Sequence, residues 1–152
     1  MTTDVFSDST TLIYPLDRTD PAKKARCVAW LRILRKNNCL ALSPQVLNES
    51  YWVVSRKPAF IWARPHVRTY LMTYAPRATA PLNAQTLADA FQIEDRYGLR
   101  FWDAMIIASA NAAGCDYLLS EDLNDGQVYG SVRVINPFRH APVDVLGPAL
   151  QP

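Results

Sequence analysis

Short apolar runs alternate with longer amphipathic segments along the chain. Runs at residues 5–6, 39–42, 117–119 and 132–135 have the length and the apolar character of buried strands. Between them lie longer segments in which apolar residues recur at helical spacing. This alternation indicates the α/β class and predicts a parallel sheet that is covered by helices on both faces.

Start and stop signals define the predicted helices. Asp20-Pro21 and Ser43-Pro44 are favourable helix starts, because the first residue can cap the helix and proline fits its first position. Gly98 is expected to end the helix that precedes it. Helices are therefore predicted for residues 12–14, 22–36, 44–54, 60–74 and 83–97, and for the segment from Asp103 to Gly114.

Four acidic residues stand where the predicted elements begin or end. Asp8 and Asp122 come just after strand-like runs, Glu49 lies within the second long helix, and Asp103 opens an otherwise apolar helix. Because ligands of parallel sheets bind outside the carboxyl ends of the strands, we expect the four carboxylates to meet in one crevice. Hard divalent cations require several converging carboxylate oxygens. Each acid taken alone could be no more than a helix cap or a solvated charge.

Length and composition indicate one globular domain. The chain has 152 residues, of which 49% are hydrophobic and 20% charged, so it can bury a core. We predict a folded domain over residues 1–140 and a loosely held, proline-containing tail over residues 141–152. The three cysteines occur without a Cys-x-x-Cys motif and are expected to be reduced and buried. No signal peptide or membrane-length apolar stretch is recognised, so the expected location is the cytoplasm.

Charge alone does not identify a partner, because the net charge is only +2. Basic residues gather in two parts of the sequence, namely Arg18, Lys23, Lys24, Arg26, Arg32, Arg35 and Lys36, and then Arg56, Lys57, Arg64, His66 and Arg68. Each cluster taken alone is more typical of a solvated helix face. A role in phosphate contact is expected only if the acids bind a metal that works on phosphodiesters.

The sequence lacks the motifs that other kinds of catalytic site require. The chain has no nucleophile elbow, glycine-rich phosphate loop or dinucleotide fingerprint, and only five glycines with which to build one. Its two histidines, His66 and His140, lie in a basic segment and near the C-terminus. A histidine-based triad is therefore not supported.

Several blocks of sequence, spread over residues 4–138, form a specific combination. They are FSDST at 6–10 with Tyr14, DPAK at 20–23, SPQVLNE at 43–49, RYGL at 96–99 leading into FWDA at 101–104, LSEDLNDGQ at 119–127 and VINPF at 134–138. Together these blocks resemble PIN-domain ribonucleases, in particular the toxins of VapBC-type toxin–antitoxin pairs. The resemblance implies a three-layer α/β/α sandwich with a central parallel sheet.

The resemblance also implies which residues form the active site. The acidic quartet of the family falls on Asp8, Glu49, Asp103 and Asp122. We expect Asp8 and Asp103 to be direct ligands of Mg²⁺ or Mn²⁺. Glu49 and Asp122 would complete the metal shell or orient the attacking water.

Hydroxyl residues near the quartet are expected to support it. Ser120 and Thr10 are the candidates for hydrogen bonds to the metal ligands. The family usually follows its first aspartate with Thr-Asn, whereas this chain has Ser9-Thr10. Thr10 can donate a hydrogen bond but lacks the amide of asparagine. Four clustered carboxylates repel one another, so at least one pKa should be raised when no metal is bound.

The residues and the resemblance together predict a Mg²⁺- or Mn²⁺-dependent endoribonuclease that is the toxin of a toxin–antitoxin pair. Its expected partners are an RNA substrate, a small antitoxin and a second copy of the chain in a homodimer. Two alternatives stay open. One is a metal-free interaction module whose acidic crevice docks a basic partner, and the other is a metal-dependent DNA nuclease or phosphatase.

Cations and aromatic residues near the crevice are expected to contact RNA or to lie in the core. Because an acidic crevice repels RNA, phosphate contacts are expected from cations on its rim, namely Arg18, Lys23, Lys24, Arg56 and Lys57. Tyr14 is expected to be an exposed aromatic on which unpaired bases can stack. Three tryptophans are expected to lie in the core, namely Trp30, Trp52 and Trp102.

Overall fold

Strands and helices alternate along the chain, largely as the hydrophobic pattern predicts. The computed structural model describes residues 3–57, 60, 62–147 and 150. The strands in this described part are β1 (Val5–Ser7), β2 (Leu40–Ala41), β3 (Tyr117–Leu119), β4 (Val128–Tyr129) and β5 (Val132–Ile135). Its α-helices are α1 (Ser9–Ile13), α2 (Pro21–Lys36), α3 (Pro44–Val54), α4 (Arg64–Met72), α5 (Ala84–Tyr97), α6 (Phe101–Ala112) and α7 (Pro142–Leu146).

One sheet holds the strands together in the order β2-β1-β3-β5-β4. β1 pairs in parallel with β2 and with β3, and β3 pairs in parallel with β5. All three residues of β1 are buried. Because successive side chains of a strand point to opposite faces, this burial means that the sheet is covered on both faces. The predicted α/β sandwich around a mainly parallel sheet is confirmed.

The antiparallel edge strand β4 is absent from the sequence-based prediction. It pairs with β5, with Tyr129 opposite Val132. The connection passes through Gly130, whose φ of 64° is a left-handed conformation that glycine adopts without steric cost. A strand of two residues has no hydrophobic period, and for that reason the pattern did not reveal it.

Capping residues fix the predicted start of α2 and the predicted end of α5. Ser43 precedes α3 as predicted, but its side chain makes no capping hydrogen bond. The carboxylate of Asp20 accepts a hydrogen bond from the backbone N–H of Lys23 at the start of α2. Asn83 caps α5, and Gly98 ends that helix with a left-handed φ of 65°. These local interactions satisfy backbone groups that a helix terminus would otherwise leave without partners.

The helix predicted for residues 60–74 is shorter in the structure. α4 begins at Arg64, with a proline in its first turn. Phe60 is buried ahead of the helix, in a second apolar cluster between α1, α3 and α4. Residue 61 of the predicted helix lies outside the described residues. Within the described part, no helix combines the length and the apolar character needed to span a membrane.

The core prediction for the tryptophans is correct for one residue and wrong for two. Trp30 is fully buried in the main core beside the sheet. Trp52 is 60% exposed and Trp102 is 62% exposed. Trp52 lies in α3 and Trp102 in the first turn of α6, where each reaches solvent instead of the sheet. The three cysteines are free and buried, as expected.

The first part of the C-terminal segment is helical and contacts the core. Within residues 141–152, α7 forms a short helix, and Val145 and Leu146 pack against the main core. The indole N–H of Trp30 also donates a hydrogen bond to the carbonyl of His140, at 2.9 Å. Residues 148, 149, 151 and 152 of the predicted tail lie outside the described residues.

Candidate active site

The four predicted acids line one cleft. This cleft has a volume of about 900 Å³, and Asp8, Glu49, Asp103 and Asp122 are all among its lining residues. Asp8 and Asp122 follow the parallel neighbours β1 and β3, while Glu49 and Asp103 come from α3 and α6. The structure thus brings the whole predicted quartet to the carboxyl end of the sheet, where parallel α/β sheets bind ligands.

Asp8 is the most buried member of the quartet, with 8% of its surface exposed. Its backbone N–H donates to the carbonyl of Leu119 at 3.2 Å, so the parallel pairing of β1 with β3 fixes its position. The carboxylate caps α1 by accepting from the N–H and the hydroxyl of Thr11, each at 3.4 Å. Capping and ligand binding are therefore compatible roles for this residue.

Burial raises the pKa of Asp8 to about 7. The charge of Asp122 raises it further, whereas hydrogen bonds from the Thr10 side chain, the Thr11 backbone and the Ser120 side chain oppose the rise. Thr10 and Ser120 thus lie near this carboxylate, and their support of a metal ligand stays a prediction. A carboxyl with a strongly perturbed pKa in a cleft is characteristic of functional sites.

Asp103 is held by a residue that sequence reasoning missed. Arg100 occupies the N-cap position of α6, and its Nε donates to Oδ2 of Asp103 at 3.2 Å. This hydrogen bond raises the pKa of Arg100, and the charges of Asp103, Asp122 and Glu49 add to the effect. An exposed guanidinium therefore faces three of the four acids. The spacing of three residues from Asp103 was the signal that could have revealed it.

Glu49 is held by Gln45, which sequence reasoning also missed. The Nε2 atom of Gln45 donates to Oε1 of Glu49 at 2.9 Å and to the carbonyl of Trp102 at 3.4 Å. One buried amide therefore links the acid of α3 to the helix that carries Asp103. The Oε1 atom of Gln45 is buried and accepts no hydrogen bond. A one-turn spacing between Gln45 and Glu49 was the available signal.

Asp122 is the most accessible acid, and the residue before it is tightly held. Glu121 forms an ion pair with Lys23, and its Oε2 accepts a hydrogen bond from the hydroxyl of Tyr14 at 3.2 Å. Nζ of Lys23 lies 4.9 Å from the ring centroid of Phe138. This network raises the pKa of Lys23, chiefly through the bond to Glu121.

The same contacts correct two expectations about RNA binding. Lys23, expected to be a free cation on the rim, is paired with Glu121. Tyr14, expected to be an exposed stacking platform, is partly buried and packs edge-to-face on Phe138 at 5.2 Å. Both residues therefore contact Glu121 in the loop after β3, and their contact with RNA stays a prediction.

The donor set fits a hydrated divalent cation better than a fully protein-bound one. Among the described residues, no group of three or more His, Cys, Asp or Glu lies close enough together to hold a metal ion. Mg²⁺ commonly uses only one or two carboxylates and keeps several waters. Four carboxylates around one cleft, with a buried amide oxygen that lacks a donor, suit that coordination. Arg100 bonds to Oδ2 of Asp103, so Oδ1 is the oxygen through which Asp103 could bind a cation while the pair stays closed.

Comparison with known proteins identifies the family. The family model described as the PIN domain matches residues 5–128. Because this match spans most of the chain, the protein belongs to the PIN domain family, and the assignment made from the sequence blocks is confirmed. A search of curated protein sequences found no match.

Two solved structures share the fold. The VapC20 toxin of Mycobacterium tuberculosis, described as a sarcin-ricin loop cleaving toxin, is 18% identical, with a TM-score of 0.53 over 78% of this chain and 92% of that chain. FitAcB from Neisseria gonorrhoeae is 21% identical, with a TM-score of 0.53 over 90% of this chain and 99% of that chain. At these identities the likeness demonstrates the fold.

Proposed function

We propose that this protein is a divalent-metal-dependent endoribonuclease that acts as the toxin of a toxin–antitoxin pair. The observation that carries the proposal is the convergence of Asp8, Glu49, Asp103 and Asp122 on one cleft of a PIN domain. RNA is the favoured substrate class because VapC20, which shares the fold, is described as cleaving the sarcin-ricin loop.

In the proposed mechanism, Asp8 and Asp103 would hold Mg²⁺ or Mn²⁺. When bound, the cation supplies a water of lowered pKa and neutralises charge on the scissile phosphate. Asp8 has to be ionised to act as a ligand, and its hydrogen bonds from Thr10 and Ser120 favour the ionised form. Gln45 keeps the carboxylate of Glu49 in place, where it orients water or completes the shell.

Arg100 has two roles in this proposal. Without metal, its bond to Asp103 offsets part of the repulsion among the acids. With a cation in the cleft, the acids would be partly neutralised, and the guanidinium would be able to donate two hydrogen bonds to a phosphate group of the substrate. Its side chain is 76% exposed, so it can move between these positions without disturbing the core.

The proposal extends to partners and location. We place the protein in the cytoplasm, where RNA is available and its three free cysteines stay reduced. A homodimer and a small antitoxin that covers the acidic cleft complete the proposed system. Structural likeness to FitAcB supports the antitoxin, and the homodimer rests on the resemblance to VapBC-type toxins.

A cleavage assay tests the proposed function. Wild type, Asp8→Asn, Asp103→Asn and the control Asp95→Asn, which changes an exposed acid of α5, are incubated with a structured RNA in Mg²⁺, Mn²⁺ or chelator. We expect cleavage by wild type and the control only when metal is present. The two cleft variants should lose on the order of 100-fold in rate or more.

Matched substrates separate the alternatives. DNA of the same sequence and a small phosphate ester are assayed alongside the RNA. Cleavage of either in place of RNA would favour the DNA nuclease or phosphatase. Retention of full RNA cleavage in chelator or in Asp8→Asn would contradict the proposed mechanism. If no substrate is cleaved and the protein also binds no divalent metal, the metal-free interaction module would be favoured.

A further inference from the structure

Two tryptophans are exposed on the cleft that carries the acids. Trp52 is 60% exposed, Trp102 is 62% exposed, and both line the cleft with Asp8, Glu49 and Asp103. A tryptophan left in solvent forgoes the large free energy that its burial would give. Two such side chains beside one charged cleft indicate a surface that another molecule covers.

The backbone places both rings next to the acids. Trp52 follows Glu49 by three residues on α3, so the two side chains lie on the same face of the helix. Trp102 directly precedes Asp103 at the start of α6. Gln45 donates hydrogen bonds to both Glu49 and the carbonyl of Trp102, which joins the backbone of Trp102 to an acid of the quartet.

An arginine stacks on one of the two rings, and a second arginine lines the same cleft. Cζ of Arg56 lies 3.2 Å from the ring centroid of Trp52, and its Nη1 donates to the Trp52 carbonyl at 3.3 Å. Arg100 precedes Trp102 by two residues and faces the acids. A guanidinium that is stacked on one aromatic ring can still donate to a phosphate. Aromatic faces combined with arginines suit a single-stranded nucleic acid better than they suit a basic protein segment.

We propose that Trp52 and Trp102 stack on unpaired bases that flank the scissile phosphate. The inference rests on the proposed function and specifies its substrate as RNA that is single-stranded at the cut, as in a loop. Bases within a duplex are stacked on one another and cannot reach these rings. Selectivity then comes from whether bases can splay onto the rings, and the acids act on the phosphate between them.

Binding measurements test the inference in the Asp8→Asn background, where cleavage is prevented. Two probes are compared: an RNA hairpin with an unpaired loop, and a fully paired RNA duplex with the same stem. Trp52→Ala and Trp102→Ala should each weaken hairpin binding by about 5- to 100-fold, the range expected for loss of one base–aromatic stack. Binding of the duplex should change by less than about twofold.

Conservative and remote variants serve as controls. Trp52→Phe and Trp102→Phe retain an aromatic face and should bind the hairpin more tightly than the alanine variants. Met72→Ala removes a side chain that is 67% exposed and not among the residues lining the cleft, and should leave binding unchanged. Fluorescence provides a second measurement, because stacking quenches indole emission. Hairpin binding should strongly quench the tryptophan fluorescence of the Asp8→Asn parent and should quench that of each alanine variant less. Circular dichroism confirms folding of every variant.

Three results would overturn the inference. The first is hairpin binding by both alanine variants as tight as that of the parent. The second is equal weakening for hairpin and duplex, which would indicate a general effect on phosphate contact. The third is dissociation of a dimer with unchanged RNA affinity, which would assign the rings to a protein interface. In each case, metal-dependent cleavage by wild type would leave the nuclease proposal standing. A wild type that neither binds nor cuts RNA would refute both.

Discussion

At the scale of single residues, Asp8 determines the electrostatics of the cleft. It is almost fully buried, and burial raises its pKa to about 7 while three hydrogen-bond donors oppose that rise. A cation bound beside the carboxylate would favour its ionised form. Metal binding near neutral pH should therefore release a proton from Asp8 and should strengthen as the pH rises.

The raised pKa of Asp8 predicts how the free energy of unfolding depends on pH in the absence of metal. The pKa of its folded form, about 7, lies above the ordinary value of 3.8. Between these pH values the folded protein holds a proton that the unfolded chain has released, so stability is greatest below pH 4 and falls as the pH rises to 7. A rise from 3.8 to about 7 makes this component on the order of 4 kcal/mol.

The Asp8→Asn variant cannot titrate at this position and should lack this component. Urea unfolding of both proteins in chelator, at several values between pH 4 and 8, measures the difference. The variant should be the more stable protein at pH 8. Parallel pH profiles for the two proteins would show that Asp8 is not the buried, titrating group.

Arg100 is expected to have opposite effects on metal and RNA. Arg100→Ala removes a cation that competes for Asp103, so Mn²⁺ affinity should rise by about two- to fivefold, the range expected for an exposed ion pair. RNA affinity should fall, since a phosphate contact is lost. Titrations of Mn²⁺ and of RNA measure the two effects, with Arg96→Ala, an exposed arginine of α5, as the control. A fall in both affinities would contradict the competing role.

At the scale of elements, the loop after β3 depends on a contact from α2. Lys23 pairs with Glu121, the residue before Asp122. Lys23→Met should lower the cleavage rate by loosening this loop, with a stability loss of up to about 1 kcal/mol because the pair is partly exposed. Lys24→Met changes an exposed neighbour and is the matched control.

The salt dependence of binding distinguishes positioning from phosphate contact. If Lys23 only positions the loop, its replacement should slow cleavage without changing the salt slope of RNA binding. A flatter slope for Lys23→Met than for Lys24→Met would instead return Lys23 to the role of a phosphate contact. Cleavage rates and binding across a salt series measure both quantities.

Local signals explain how much of the fold could be predicted. Asp20, Asn83 and Gly98 act through their own backbone neighbours, so the ends of α2 and α5 followed from the sequence. The two-residue strand β4 depends on pairing with β5 and has no local signal of its own. Trp52 and Trp102 were misassigned because hydrophobicity does not tell which face of a helix the rest of the chain will cover.

The acidic residues of the site could be predicted from the sequence, but two of the residues that hydrogen-bond to them could not. Strand ends and helix starts placed Asp8 and Asp122 near one another, because parallel strands end at the same edge. The bonds from Gln45 and Arg100 depend on side-chain directions that only the folded chain defines. The reassignment of Tyr14 and Lys23 has the same origin, since their partner Glu121 is about 100 residues away in sequence.

At the scale of the whole molecule, the cleft is assembled from segments that are far apart in the chain. The pairing of β1 with β3 brings Asp8 and Asp122 to the same edge of the sheet, and Gln45 joins α3, which carries Glu49, to α6, which carries Asp103. A ligand of the complete site should therefore stabilise the native state, by about 2.7 kcal/mol at 100 times its Kd.

The proposed assembly is also a property of the whole molecule. A homodimer should appear by light scattering at protein concentrations of tens of micromolar, on the order of the Kd values of weak interfaces. Co-expression with the gene product encoded immediately upstream should yield a co-purifying small protein. A monomer at every concentration would contradict the proposed homodimer. Purification without a co-eluting small protein would contradict the proposed antitoxin.

Calorimetric titration of Mn²⁺ tests the central claim, that the acidic cleft is a divalent-metal site. Wild type and the control Asp95→Asn should bind Mn²⁺ with measurable heat and with proton release near pH 7. The double variant Asp8→Asn plus Asp103→Asn should show no binding heat while remaining folded. Equal heats for wild type and the double variant would contradict the account, because Mn²⁺ would then bind elsewhere.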